Sequence, residues 1–158
     1  MRQCYIILLV LVVYSCDYFN VKKTTPEAIL KEDLKTFNWD EVDMYPSFSQ
    51  CDTIIAKTNK KVCFESTLYA KMSTYLQQQN IVVTKDVNDT LMLKLRVSKK
   101  GIITLIGAEM DSLTKQEIPN LEKMLLKSLE QLPNITSAIK MSQPVRTEFE
   151  LPLIIKVN

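Results

Sequence analysis

The side chains that could do chemistry in this chain are few, and their types limit what it can do. Its 158 residues include no histidine. Without imidazole the commonest general base is missing, and with it the serine and cysteine nucleophiles that rely on it and the usual catalytic zinc sites. Two glycines in the whole chain exclude a Gly-rich phosphate cradle. The densest carboxylate cluster, Asp40, Glu41 and Asp43, lies in a polar stretch with no acid–base partner in view, so a glycosidase-like pair cannot be placed. These residue types disfavour an enzyme, and the expectation is a protein without catalytic residues, cofactor or metal.

The cysteines carry more. Met1-Arg2-Gln3-Cys4 precedes an apolar run over residues 5–14, followed by Ser15-Cys16. One positive charge, a short apolar core and a small residue before the cut form a secretory signal over residues 1–15. The run is about half of the roughly twenty residues that span a bilayer, so no permanent transmembrane helix is expected from it. Val13-Tyr14-Ser15-Cys16 resembles the lipobox of bacterial lipoproteins, although Tyr14 stands where that motif has a small residue. The resemblance implies acylation of Cys16, an anchor of several buried chains, and a location in the cell envelope facing the periplasm. An ordinary cleaved signal with an incidental cysteine is the alternative. Asp17 resembles an inner-membrane retention signal of some bacteria, but which membrane holds the anchor stays open. Cys4 leaves with the signal and Cys16 takes the lipid, so Cys51 and Cys63 remain in an oxidising compartment and are expected to pair. Closing a loop of about a dozen residues stabilises by roughly 3 kcal/mol. A redox pair is the alternative, against which the spacing speaks, since it is not Cys-x-x-Cys.

The elements that must hold these groups are legible from composition and period. A hydrophobic fraction of 46%, a charged fraction of 24% and a net charge of +2 are those of a globular protein, and they argue against nucleic acid as partner. Residues 16–44 are polar and read as a linker. Pro26 suits the first turn of a short helix over residues 27–37, capped by Thr25, with Ile29, Leu30, Leu34 and Phe37 as its apolar stripe; it is a tether or a docking helix. From residue 62 to about residue 79, Phe64, Leu68, Met72, Tyr75 and Leu76 recur at helical spacing, and Tyr69 widens the stripe. Residues 91–110 then alternate as a hairpin around Ser98-Lys99-Lys100-Gly101. A second helix carries Ile118, Leu121, Leu125, Leu129 and Leu132 on one face. Thr114 and Glu117 are spaced as a capping box, but Pro119 would then lie one turn in, so the start is at Thr114 or nearer Ile118. Residues 146–157 alternate again, with Thr147, Phe149, Leu151, Leu153, Ile155 and Val157 on one face. Pro152 within this run belongs on an edge or at a bulge. The order helix, β-hairpin, helix, strand predicts an α+β two-layer sandwich, a three-stranded antiparallel sheet covered by two helices.

These segments, over residues 45–158, resemble the C-terminal domain of TonB and TonB-like proteins. Tyr45-Pro46-Ser47-Phe48-Ser49-Gln50-Cys51 and Cys63-Phe64 match the proline, aromatic and cysteine stations around the first helix. Leu93-Lys94-Leu95-Arg96-Val97-Ser98-Lys99-Lys100-Gly101-Ile102-Ile103 matches the strand, turn and strand. Leu132-Pro133 matches the end of the second helix, while Gln143-Pro144-Val145 and Leu151-Pro152-Leu153-Ile154 match the last strand. Residues 81–87 and 135–138 depart from the pattern. The resemblance implies a module that binds a protein or peptide by lending a sheet edge, with an envelope protein as partner, an outer-membrane transporter or its complex among the choices, or a second copy through the same edge. Arg146, Glu148, Glu150 and Ile154, on the outward face of the last strand, are the residues expected to meet it. A scaffold lipoprotein of an envelope assembly is the alternative. Asp52-Thr53-Ile54, Asp89-Thr90-Leu91 and Asp111-Ser112-Leu113 resemble the Asp-Ser/Thr-aliphatic sites that carry O-glycans on some exported bacterial proteins, which makes Thr53, Thr90 and Ser112 candidates for modification; ordinary turn chemistry accounts for them equally.

Overall fold

The computed structural model describes residues 36–158. The signal over residues 1–15, the lipidation site Cys16 and the helix expected from Pro26 lie outside the described residues. Only the end of that helix can be compared: Phe37 lies in a strand, β1 (Thr36–Asn38).

Alternation of apolar residues builds the sheet. In β3 (Val87–Val97) Leu91, Leu93, Leu95 and Val97 are wholly buried, and in β7 (Gln143–Val157) Phe149, Leu151, Leu153 and Ile155 are buried. The two strands pair antiparallel from Val87 opposite Val157 to Val97 opposite Thr147. A period of two puts these buried apolar side chains of both strands on one face in this register; a one-residue slip would expose them all. Thr147 is the polar member of that face, wholly buried, with no hydrogen bond to its hydroxyl among the described residues.

Helix α1 (Lys57–Gln77) lays Phe64, Leu68, Met72 and Leu76 into the core. It starts at Ala56 without a side-chain cap, so the helix is held by tertiary burial, about 2 kcal/mol for each large apolar side chain. Phe64 stacks on Phe48 (centroids 5.1 Å apart) and meets Phe149 edge-on at 5.8 Å. Phe48 belongs to β2 (Ser47–Phe48), and the 3-10 turn Ser49–Cys51 that follows carries Cys51 to Cys63 of α1, where the sulfurs are 1.99 Å apart in a disulfide.

β4 (Ile103–Glu109) returns beside β3. The register jumps from Lys94 opposite Gly107 to Leu95 opposite Leu105, so Ile106 is the extra residue of a bulge. The second helix is two helices, α2 (Ser112–Glu117) and α3 (Leu121–Glu130). Pro119 lacks the N–H that a continuous helix needs and crowds the turn before it. The expected capping box does not form. Asp111 is the residue before α2, Thr114 is buried within it and donates its hydroxyl to Asp89 Oδ2 at 2.7 Å, and Glu117 accepts from the Thr84 backbone N–H at 2.7 Å.

Two further strands follow, β5 (Ile135–Thr136) and β6 (Ala138–Lys140). β5 pairs with β2 as a separate ribbon. β6 forms a hairpin with β7, Lys140 opposite Gln143, through Met141 and Ser142 at φ of 50° and 61°. Positive φ at both central residues is a type I′ turn, usually given to Asn-Gly. Asp43 stabilises it by accepting the Met141 N–H at 2.6 Å. Replacing Met141-Ser142 by Asn-Gly is therefore expected to raise stability by about 1 kcal/mol, read as a higher urea midpoint; an unchanged or lower midpoint would show that neither backbone is strained.

The fold is mixed α+β, and the three-stranded sheet predicted from sequence is corrected. Among the described residues the sheet has five strands, in the order β1-β7-β3-β4 with β6 also on β7, and it is mixed because β1 runs parallel to β7. The compact unit is Thr36–Asn158, so residues 36–44, read as linker, belong to it: Val42 is buried, and the Lys57 ammonium donates to its carbonyl.

Candidate functional site

β7 is a strand with two different halves. Thr147 and Glu148 each have β3 on one side and β1 on the other, opposite Val97 and Phe37 for the first, Arg96 and Asn38 for the second. β1 ends at Asn38, where the chain turns into the 3-10 segment Trp39–Glu41. From residue 149 to residue 157, β7 keeps β3, and among the described residues no strand pairs with its other side. Pro152 sits opposite Met92 in this stretch. A proline has no N–H to give the β3 ladder, so it fits where its nitrogen faces the open side. In an antiparallel ladder alternate residues share that direction; hence Glu150, Ile154 and Lys156 turn their N–H and C=O groups to the open edge.

Two grooves flank this edge. One, of about 650 Å³, opens where β1 stops, lined by Phe37, Asp40, Lys61, Glu65, Phe149 and Glu150, and it reaches Lys94 of β3 and Ile106 of β4. The other, of about 380 Å³, runs beside the far end, with Tyr69 and Leu76 of α1 and Ile81 of the following loop against Ile154, Ile155 and Val157. Charges stand at the first groove, and the second mixes Tyr69, Leu76 and Ile81 with Ser73, Gln77 and Gln79, so an added strand meets two different places for its side chains.

The four residues expected to meet a partner share the outward face of β7 but not the open edge. Arg146 lies opposite Thr36 in the stretch covered by β1, half-buried. Glu148 is covered too, and it holds Arg96, Nη2 to Oε1 2.6 Å and Nε to Oε1 2.7 Å. Glu150 and Ile154 are on the open stretch: Glu150 reaches Lys94 only at 4.0 Å, and Ile154 is 57% exposed. Lys94 is held chiefly by Glu109 at 2.7 Å; that hydrogen bond and the opposite charge raise the lysine pKa and lower that of the glutamate. Lys156, exposed on the same face and in no ion pair among the described residues, belongs with Glu150 and Ile154. The alternation that turns Ile155 and Val157 to the inner face turns Lys156 to the outer one. Tyr69 and Ile81 come to the edge through packing of α1, which strand alternation cannot convey.

The other candidates find ordinary neighbours. Asp40 lies 3.9 Å from Lys61, Glu41 3.7 Å from Lys140, and Asp43 holds the β6–β7 turn; the acidic cluster docks the start of the domain. Among the described residues no three of Cys, Asp and Glu gather to hold a metal ion, and no helix is long and apolar enough to cross a membrane. Thr53 is exposed in a turn, Thr90 lies in β3 opposite Ile154, and Ser112 opens α2. Each preceding aspartate has a local setting: Asp52 accepts the Ser47 hydroxyl at 2.6 Å, Asp89 binds Thr114 and the Asp111 N–H, and Asp111 precedes α2.

Asp89 also predicts a response to acid. Burial acts to raise its pKa, but the Thr114 hydroxyl and the N–H groups of Asp111 and Thr90 outweigh it and leave the carboxyl below its ordinary value. A depressed carboxylate contributes stability that is present above the unfolded-state pKa and lost as pH falls through the folded one. Glu117 is lowered as well, first by the Thr84 N–H and then by the Thr84 hydroxyl. Asp89→Asn is expected to cost about 1 kcal/mol at neutral pH and to flatten the decline of stability below the ordinary aspartate pKa. Urea titrations of both proteins across that range check this; parallel acid limbs would rule Asp89 out as a contributor.

No protein-family model matches the chain, and neither a curated protein nor a solved structure does.

Proposed function

We propose that this chain is a binding module that accepts a peptide segment of a partner protein as an added strand along the open stretch of β7. The observation that carries the reading is the open half of that strand, flanked by a charged groove and one of mixed lining. Main-chain hydrogen bonds to Glu150, Ile154 and Lys156 supply affinity, and the groove of Tyr69, Leu76 and Ile81 selects side chains. The stations shared with TonB-like domains favour the same mode, with helices α1 and α3 as one layer over the sheet. The signal-like N-terminus and the lipobox-like Cys16 support a module in a bacterial envelope, lipid-anchored toward the periplasm, with an envelope protein as partner. No catalytic role is assigned.

A scaffold lipoprotein is the second reading, and Pro152 favours it. A proline between Glu150 and Lys156 is also how an edge is guarded against unwanted pairing. Photo-crosslinking in the producing cell separates the two. A probe at Ile154 is expected to capture one partner, and Glu150→Pro, which removes an edge N–H while sparing the β3 ladder, to abolish capture in a protein with unchanged circular dichroism. Capture that survives Glu150→Pro, or none at all from the edge, overturns strand addition and leaves the scaffold.

A further inference from the structure

The open stretch of β7 reads Glu150-Leu151-Pro152-Leu153-Ile154-Ile155-Lys156, with Glu150, Pro152, Ile154 and Lys156 exposed on the outward face. Rotated by a two-fold axis through Leu153, this segment is its own complement. Residue 150 falls opposite 156 of the other copy, and 152 opposite 154. Glu150 then faces Lys156, Pro152 faces Ile154, and both contacts occur twice. We propose that β7 pairs antiparallel with β7 of a second copy of this chain in that register, on the same open edge that the partner-strand reading uses.

The backbone agrees with the side chains. Glu150, Ile154 and Lys156 turn N–H and C=O to the open side, so 150 opposite 156 is a hydrogen-bonded pair that exchanges two bonds. Pro152 has no N–H, but its carbonyl accepts from Ile154 of the other copy. Neighbouring two-fold registers are worse. An axis through Pro152 sets the two prolines against each other and Glu150 against Ile154. An axis through Ile154 sets Pro152 against Lys156. Within the stretch that β1 leaves open, only the axis through Leu153 puts opposite charges face to face, and opposed charges in cross-strand pairs attract where like charges repel. Neither charge has a strong partner within its own copy: Glu150 is 4.0 Å from Lys94, and Lys156 lies opposite Asn88. In this register the groove beside Ile154 to Val157 of one copy lies across from the Phe149 and Glu150 end of the other, where the groove left by β1 opens.

The register gives an unusual test. Glu150→Lys sets lysine against Lys156, and Lys156→Glu sets glutamate against Glu150. Each variant alone opposes like charges at two places, while a mixture of the two variants opposes unlike charges at both. Sedimentation velocity of the full chain in detergent should show self-association of the wild type, weakened about tenfold or more in either single variant. An equimolar mixture of the two should regain it, and so should the double variant Glu150→Lys/Lys156→Glu. Circular dichroism confirms that each is folded; Lys156→Glu, whose ladder neighbour is neutral, keeps the test open even if Glu150→Lys suffers beside Lys94. A monomeric wild type, single variants that associate as it does, or a mixture no better than its components would each overturn the proposal. Because purified protein alone is measured, those outcomes leave the partner-strand reading to be judged by cross-linking in cells, and that reading can fail while the dimer stands.

Discussion

Gly101→Ala is expected to cost about 2–4 kcal/mol, whereas Gly107→Ala should change stability by less than about 0.5 kcal/mol. The contrast follows from where each glycine sits. Gly101 closes the β3–β4 turn at φ 75°, in the left-handed region that a side chain resists. A methyl group built on it would lie 1.8 Å from the Ile135 carbonyl oxygen and 2.9 Å from its carbon, both backbone atoms that no rotamer change can move. The strand bearing Ile135 would have to withdraw, and with it the pairing of Ile135 to Phe48. Gly107 has no atom within 4 Å of such a group. Urea titrations of the two variants measure the difference. Equal effects would show that the close approach of the turn to β5 does not persist in solution.

Reduction of the Cys51–Cys63 disulfide is expected to lower stability by roughly 3 kcal/mol. The bond closes a loop of sequence separation 12 and ties the turn after β2 to the first half of α1. Cys51 is wholly buried, with Thr67 Oγ1 3.9 Å from its sulfur, so reduction also leaves a thiol inside the core. The Phe48–Phe64 stack spans the same junction and should keep the reduced protein folded at low denaturant. A reductant should therefore shift the urea midpoint of the wild type downward, and it should leave the double variant Cys51→Ala/Cys63→Ala, already destabilised, unmoved. If the wild type is equally stable with and without reductant, the bond contributes nothing net. A reductant-dependent gain or loss of partner capture would instead revive the redox reading.

Where one period dominates, the elements could be read directly. Leu91, Leu93, Leu95 and Val97 announced β3 by alternation, and Phe64, Leu68, Met72 and Leu76 announced α1 by helical spacing. Pro119 signalled trouble in the second helix, though whether it would start or split the helix depended on the packing of α2 against Asp89. The short strands were not legible. β1, β2, β5 and β6 hold two or three residues each, too few for a period, and the β6–β7 turn uses Met141-Ser142 where Asn-Gly would have been recognised. Their pairings come from backbone hydrogen bonds to β7 and β2, which carry little side-chain signature.

The candidate site divides the same way. By itself the sequence determined the outward face of the last strand, the charges Glu150 and Lys156 on it and the proline between them, because each is a matter of residue type and local period. Only the tertiary structure decided which part of that face borders an open edge. β1 comes from residues read as linker, covers β7 as far as Glu148 and then turns away. The backbone edge of Arg146 and Glu148 is thereby covered, while Glu150, Ile154 and Lys156 are left beside the grooves. An edge is defined by the strand that is missing next to it, and that depends on where a distant part of the chain ends.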